Sequence, residues 1–153
     1  MLEISILGTR LALDPGSRKC GWAIECPLLH SPLVGVVNLD KLGAFLQWVS
    51  RFFDVSRVVV GGGTARKRVI SAAEEVFGTD RVAVIDEHGS TRDALKLYLQ
   101  ASGGCWLAKH FRYLLYFLAT PPLDGYAAWV LLRRDSRADN FGYRQAHLPS
   151  KRR

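Results

Sequence analysis

Hydrophobic and polar positions at the start of the chain follow the pattern of short strands. Three apolar runs, at Leu11–Asp14, Gly21–Glu25 and Leu33–Leu39, are separated by the turn segments PGSRK and HSP. Links this short suit antiparallel strands, because a parallel pair needs a crossover of a dozen or more residues. The chain is therefore predicted to open with an antiparallel meander.

After the third run, the period of the apolar positions changes from that of strands to that of helices. Asp40 is placed to cap a helix that continues through Phe53, and Thr64 to cap a second helix that ends at Phe77. The first of these helices carries an apolar stripe made of Leu42, Phe45, Leu46, Val49 and Phe52.

Strands and helices alternate in the rest of the chain. Two compact apolar runs, at Arg57–Val60 and Arg81–Asp86, have the pattern of buried strands. Three further helices are predicted at Ser90–Ala101, Trp106–Leu118 and Leu123–Arg134. The whole order predicts an α/β fold with a mixed five-stranded sheet, in which three antiparallel strands precede alternating helices and strands, flanked by helices.

The composition indicates one folded domain with a basic end. Of the 153 residues, 48% are hydrophobic and 23% are charged, and the formal net charge is +7. Seven basic and two acidic residues lie between Arg133 and Arg153. We therefore divide the chain into a domain, residues 1–134, and a basic tail, residues 135–153. The excess positive charge predicts a polyanionic partner, although a basic tail is as often a solvated end.

Membrane and disulfide-rich classes are not expected. The longest apolar region, Trp106–Ala119, is interrupted by three ionisable side chains, which favours a packed helix over a membrane span. The N-terminus has too short an apolar run for a signal peptide, so a cytoplasmic location is expected. Cys20, Cys26 and Cys105 show no paired spacing and are expected to be reduced cysteines in the core.

Three carboxylates occur where a predicted strand ends or a predicted helix begins. Asp14 ends the first strand, Glu87 follows the last, and Asp124 lies in the first turn of the final helix. Such positions can converge on one edge of an open sheet. Carboxylate oxygens suit Mg²⁺ and Mn²⁺, and two such ions can activate water and stabilise the leaving oxygen when a phosphodiester is hydrolysed. In a basic protein, the three acids predict a two-metal site that faces a phosphate backbone.

Each of these residues also has an ordinary structural explanation. Asp14 precedes Pro15-Gly16 and is suited to a turn. Glu87 is suited to a solvated loop, and Asp124 to a favourable interaction with the helix dipole. His88, beside Glu87, is either a proton-transfer or phosphate-binding group or a loop histidine.

Basic side chains are concentrated next to the predicted acids. Three of them follow Gly61-Gly62-Gly63, at a helix start where free N–H groups attract anions and positive charge opposes the dipole. A plain flexible turn is the alternative for the three glycines. The residues predicted to contact nucleic acid are Arg18, Lys19, Arg66, Lys67, Arg68, His88 and Arg92.

Four segments of the chain form an ordered set that spans about residues 10–134: LALDPGSRKCGWAI, VVVGGGTARKR, VIDEHGSTRDALKLYL and PPLDGYAAWVLL. This set resembles the motifs of the YqgF/RuvX nucleases, a family of the ribonuclease H-like superfamily that is related to RuvC. The resemblance implies a ribonuclease H-like fold, with catalytic and metal-binding acids at Asp14, Glu87 and Asp124. It also implies dependence on Mg²⁺ or Mn²⁺, and a role in maturing the 16S ribosomal RNA precursor.

The sequence departs from the family pattern at two places near the predicted substrate path. His88 and Gly89 stand where the family has Arg and usually Leu, and GGGTARKR replaces a loop that is commonly longer. Asp86 is the nearest candidate for the fourth carboxylate of some relatives.

Other functions compete with RNA processing. The YqgF/RuvX family was first proposed to resolve Holliday junctions. Symmetric cutting of a four-way DNA junction needs a homodimer, and the sequence leaves monomer and homodimer open. A nucleic-acid-binding module without catalysis is a further alternative. A nucleotide-binding domain related to sugar kinases and actin has a similar opening hairpin, but those proteins close two such domains around a cleft.

Overall fold

A computed structural model describes residues 6–85, 97 and 123–146 of the chain. Its strands are β1 (Ile6–Pro15), β2 (Lys19–Glu25), β3 (Leu33–Asn38), β4 (Phe53–Val60) and β5 (Val82–Val84). Its helices are α1 (Leu42–Phe52), α2 (Arg66–Phe77) and α3 (Leu123–Ala146), and a 3₁₀ turn at Thr79–Arg81 leads into β5. The predicted α/β class is confirmed.

The five strands form one mixed sheet in the order β3-β2-β1-β4-β5. The strands β1, β2 and β3 are antiparallel neighbours, which confirms the predicted meander, while β4 and β5 run parallel to β1. Leu13 pairs with Val60, and Val60 with Val84. The carboxyl ends of β1, β4 and β5 therefore lie at the same edge of the sheet.

The two faces of β1 bury different helices. Leu11 and Leu13 belong to a core that includes Leu46 of α1 and Val69 of α2. Ala12, which points to the other face, packs with Ala23, Val59 and three residues of α3, namely Ala128, Leu131 and Leu132. Helices therefore cover both faces of the sheet.

The helices α1 and α2 begin later than the sequence predicted, and neither predicted side-chain cap is observed. The cap position of α1 is Lys41 rather than Asp40, and that of α2 is Ala65 rather than Thr64; neither makes a side-chain cap hydrogen bond. Main-chain turns lead into both helices. Lys41 N–H donates to the carbonyl of Asn38, and Arg66 N–H donates to the carbonyl of Gly63. The apolar stripe of α1 is largely buried, but Phe52 at its end is half exposed.

The helix α3 continues well past the end predicted at Arg134. It extends to Ala146, so the boundary drawn between residues 134 and 135 lies inside a helix. Asp135, assigned from the sequence to the tail, is 2% exposed. Asp135 makes tertiary ion pairs, described below, with two arginines of the sheet.

The predicted helices at Ser90–Ala101 and Trp106–Leu118 lie outside the described residues, apart from Leu97. That side chain is buried against Ala127 and Val130 of α3. Within residues 6–85, 97 and 123–146, no helix combines the length and apolar character of a bilayer-spanning segment.

Candidate metal and nucleic-acid site

Two of the three predicted acids lie beside each other. Asp14, near the end of β1, and Asp124, in the first turn of α3, line one open depression of about 230 Å³. The other residues that line it are Gly16, Ser17, Arg18 and Lys19. Asp14 is half-buried, whereas Asp124 is exposed. The spacing of Asp124 from Ala128 and Leu131 predicts a position on the buried face of the helix. Asp124 is nevertheless exposed, because it lies at the rim, beyond these two buried residues.

Close main-chain packing brings the start of α3 to this position. Asp14 pairs with Gly21 across the β1–β2 ladder. A Cβ atom at Gly21 would overlap the carbonyl oxygen of Asp124, and one at Gly125 would lie 2.8 Å from the main-chain nitrogen of Gly35. The absence of side chains at these glycines lets the first turn of α3 rest directly on β2 and β3.

The turn after Asp14 is held by its own main chain. Gly16 N–H donates to the carbonyl of Lys19 at 2.8 Å, and Leu39 N–H donates to the carbonyl of Arg18 at 3.0 Å. These bonds fix the backbone from which Arg18 and Lys19 extend, and both side chains are exposed. Two predicted nucleic-acid contacts therefore border the carboxylate depression.

The pKa of the Cys20 thiol depends on its burial and on the charges of the two acids. Burial, followed by the charge of Asp14 and then that of Asp124, raises the pKa of the Cys20 thiol to about 12, while a hydrogen bond with the main chain of Asp14 acts in the opposite direction. Both carboxylates therefore act on the same small region.

Two carboxylates on an open depression form a donor set that fits Mg²⁺ or Mn²⁺, since these hard cations prefer oxygen ligands and retain several waters.

A basic cleft of about 650 Å³ adjoins the depression and shares Ser17 with it. The cleft is lined by Ser17, Leu39, Gly62, Gly63, Thr64, Ala65, Arg66, Lys67 and Arg68. Gly61 N–H donates to the carbonyl of Leu13 at 2.9 Å, and a Cβ atom at Gly63 would overlap the carbonyl oxygen of Pro15. The start of α2 is therefore packed against the end of β1, next to Asp14.

The three basic residues of the cleft differ in their surroundings. All three lie in the first turn of α2, which contains no acidic residue. Arg68 donates to the carbonyl of Leu39 at 3.2 Å, which gives it a structural contact. Lys67 is exposed, and Arg66 is half-buried. Positive charge against the helix dipole is thus confirmed as a feature of this cleft.

The remaining predicted site residues, Asp86, Glu87, His88 and Arg92, lie outside the described residues. The described chain leaves β5 at the edge where Asp14 is found, and Ile85 N–H donates to the carbonyl of Val60 at 2.9 Å. In the part of the chain that the structure describes, no three His, Cys, Asp or Glu side chains lie together as a metal cluster. Cys20 and Cys26 are buried and reduced, as expected.

A buried ion-pair cluster next to α3 was not anticipated from the sequence. The carboxylate of Asp135 accepts from Arg10 at 2.7 Å and from Arg57 at 2.8 Å. A signal was present, since Asp135 lies four residues after Leu131 and continues the buried face of α3. Ser17 was likewise missed, because only the structure shows that it lines both the depression and the cleft.

Comparison with known proteins adds little to this description. No family model matches the sequence, and no curated protein matches it. Among solved structures, the Aquifex aeolicus Ppx/GppA phosphatase is similar with a TM-score of 0.36 and 10% sequence identity, over 60% of this chain and 41% of that one. The chain thus spans less than half of that structure, and a likeness of this degree does not define a fold family.

Proposed function

We propose that this chain is a metal-dependent nuclease with a ribonuclease H-like fold, which hydrolyses phosphodiester bonds in RNA of the 16S-precursor type. The observation that carries the proposal is the shared depression of Asp14 and Asp124, bordered by Arg18 and Lys19. A meander followed by alternating helix and strand is also the order of elements in the ribonuclease H-like fold. The resemblance of four ordered segments to the YqgF/RuvX family supports the same class.

The chemistry of the depression suits a divalent cation. Asp14 and Asp124 would hold Mg²⁺ or Mn²⁺ together with Glu87, which follows β5 by three residues in the sequence. Two such ions supply an activated water and charge stabilisation at the leaving oxygen. The chain itself contributes carboxylate oxygens on two different elements, and cationic side chains at the rim that attract a phosphodiester.

The basic cleft suits the substrate backbone. Ser17 lies at the junction of the depression and the cleft, so one strand can contact Arg18 and Lys19 and continue towards Lys67. Contacts between basic side chains and phosphates fix the register of a strand without reading its bases. Specificity for RNA then rests on groups other than these cations.

The test is cleavage of matched single-stranded RNA, duplex DNA and a four-way DNA junction with Mg²⁺, Mn²⁺ or EDTA. We expect RNA cleavage that EDTA abolishes and that Asp14→Asn, Asp124→Asn and Glu87→Gln each reduce by about 100-fold or more. Glu75→Gln is the matched control, because Glu75 is an exposed acid on α2 away from the depression. It should retain full activity.

Each alternative gives a different result in this assay. Paired symmetric cuts in the junction by a dimer would replace RNA processing by junction resolution. Binding of these substrates without cleavage under any metal condition would contradict the nuclease and favour a binding module.

A further inference from the structure

The carboxylate of Asp135 is the most deeply buried charge among the described residues, and two guanidinium groups hold it. Arg10 of β1 and Arg57 of β4 donate to its two different oxygens at 2.7 and 2.8 Å. Arg10 also donates to the main-chain carbonyl of Leu132 at 3.1 Å and to the hydroxyl of Ser136. One arginine of the sheet thus binds three residues on one side of α3, namely Leu132, Asp135 and Ser136.

These bonds are directional, whereas the apolar contacts of α3 are not. Between the two ends of the contact, Ala12 and Ala23 of the sheet face Ala128 and Leu131 of the helix. Apolar contacts are non-directional, so they define the rotation and axial position of a helix less sharply than charged hydrogen bonds do. A buried carboxylate loses its charged hydrogen bonds on such a movement, and an unpaired buried charge is costly.

Asp124, in the first turn of α3, lies on the same face of the helix as Asp135. Asp124 and Asp135 are eleven residues apart, which places them about 20° apart around the helix and roughly 16 Å apart along it. On β1, Arg10 and Asp14 are on one face of the strand, about 13 Å apart. The ion-pair cluster and the carboxylate depression are therefore the two ends of one antiparallel helix–strand contact.

We infer that Asp135 is a positioning residue whose ion pairs with Arg10 and Arg57 set the rotation and axial position of α3 that bring Asp124 beside Asp14. The effect on metal binding rests on the proposed function, whereas the effect on the position of the helix does not. Asp135 acts through α3 and contacts neither the depression nor the basic cleft.

The experiment compares Asp135→Asn with the wild-type protein in two measurements. Amide hydrogen exchange without metal reports whether α3 is held, and Mn²⁺ titration reports the affinity of the depression. We expect exchange in residues 123–131 to rise at least about tenfold while residues 55–60 of β4 stay protected. The Mn²⁺ dissociation constant should rise about tenfold, with near wild-type cleavage restored at saturating Mn²⁺.

Two further variants keep the test decisive. Arg57→Gln removes one ion pair of Asp135 and leaves the pair with Arg10. It should therefore change both measurements in the same direction as Asp135→Asn, but by less. It replaces Asp135→Asn if that variant does not fold. Asp54→Asn is the matched control, because it removes an ion pair with Arg81 in which both side chains are 43% exposed. It should change neither measurement.

The inference is overturned if exchange rises equally in α3 and β4 while the Mn²⁺ affinity of the folded variant is unchanged, because Asp135 then only stabilises the fold. It is also overturned if neither measurement changes. If the wild-type protein itself does not bind Mn²⁺, the proposed function fails, and the exchange measurement alone decides the positioning of α3.

Discussion

Gly21 lies against the main-chain carbonyl of Asp124 so closely that a Cβ atom at Gly21 would overlap the carbonyl oxygen. Gly21 is also the residue that pairs with Asp14 across the β1–β2 ladder. Gly21 therefore contacts α3, which carries Asp124, and also pairs with Asp14 on β1. The distance between the two carboxylates depends on how closely α3 approaches β2 at this point.

Gly21→Ala is expected to separate the two acids. The added methyl group meets main chain rather than a flexible side chain, so the start of α3 must move, at a cost of about 1–3 kcal/mol in the free energy of unfolding. Affinity for Mn²⁺ should fall with it. Thermal unfolding and Mn²⁺ titration measure the two effects.

Gly43→Ala in α1 is the matched control for Gly21→Ala. A Cβ atom there meets nothing within 4 Å. Because alanine favours helix over glycine, this variant should be as stable as the wild type or up to about 1 kcal/mol more stable. Equal effects of the two substitutions would contradict the role assigned to close packing at Gly21.

Asp135→Ala is expected to destabilise the protein far more than removal of an exposed ion pair. It leaves Arg10 and Arg57 facing a site without a carboxylate, and loss of one partner of a buried pair costs about 3–5 kcal/mol. Asp54→Asn removes an exposed pair and should cost at most about 1 kcal/mol. Urea unfolding measures both. A similar small loss in the two variants would show that the Asp135 cluster contributes little.

Stability is expected to fall in alkali because of Cys20. Burial and the nearby carboxylates raise the pKa of the thiol to about 12 in the folded chain, against an ordinary value of 9.0. Between pH 9 and pH 12, the Cys20 thiol is deprotonated in the unfolded chain but stays protonated in the folded chain. The contribution of Cys20 to the free energy of unfolding is therefore complete below pH 9 and falls progressively above it. Its slope approaches about 1.4 kcal/mol per pH unit within that window.

Urea unfolding from pH 8 upward isolates this contribution when Cys20→Ala is compared with Cys26→Ala. Cys26 is the other buried thiol of the described residues. The Cys26→Ala variant should keep the alkaline loss of the wild type, and Cys20→Ala should lose part of it. Parallel curves for the two variants would exclude Cys20 as a source of the loss.

Lys67→Ala is expected to weaken nucleic-acid binding uniformly across sequences. If Lys67 neutralises one phosphate of a single strand, the slope of log K against log salt should fall in magnitude by about 0.7. Arg51→Ala removes one exposed positive charge from the last turn of α1 and is the matched control. Fluorescence anisotropy at several salt concentrations measures the slope. An equal change in both variants would show that only net charge matters, not the cleft.

The sequence predicted the meander and the mixed five-stranded sheet well, because short turns and hydrophobic periods are local information. The short turn PGSRK permits only an antiparallel pair. The structure adds that the Leu13, Val60 and Val84 ends share an edge. The sequence predicted the helix caps poorly. Asp40 and Thr64 have the right side chains, but main-chain hydrogen bonds at Asn38 and Gly63 start the helices later.

The sequence indicated residues of the candidate site but not the contacts that bring them together. Asp14 and Asp124 were selected because a strand end and a helix start can meet, and they line one depression. The glycine contacts that make them meet were not foreseen. No periodicity indicates which main-chain atoms approach Gly21, because that contact joins residues about a hundred positions apart.

The sequence by itself determined the α/β class, the antiparallel meander within a mixed five-stranded sheet, and which acids and basic residues are candidates for a site, because local turns, hydrophobic periods and side-chain types carry that information. Only the tertiary structure decided how far α3 extends and where it lies. It continues to Ala146, and Arg10 and Arg57 of the sheet pair with its Asp135. A buried charge is stable only when distant partners converge on it, and that convergence exists only in the folded chain.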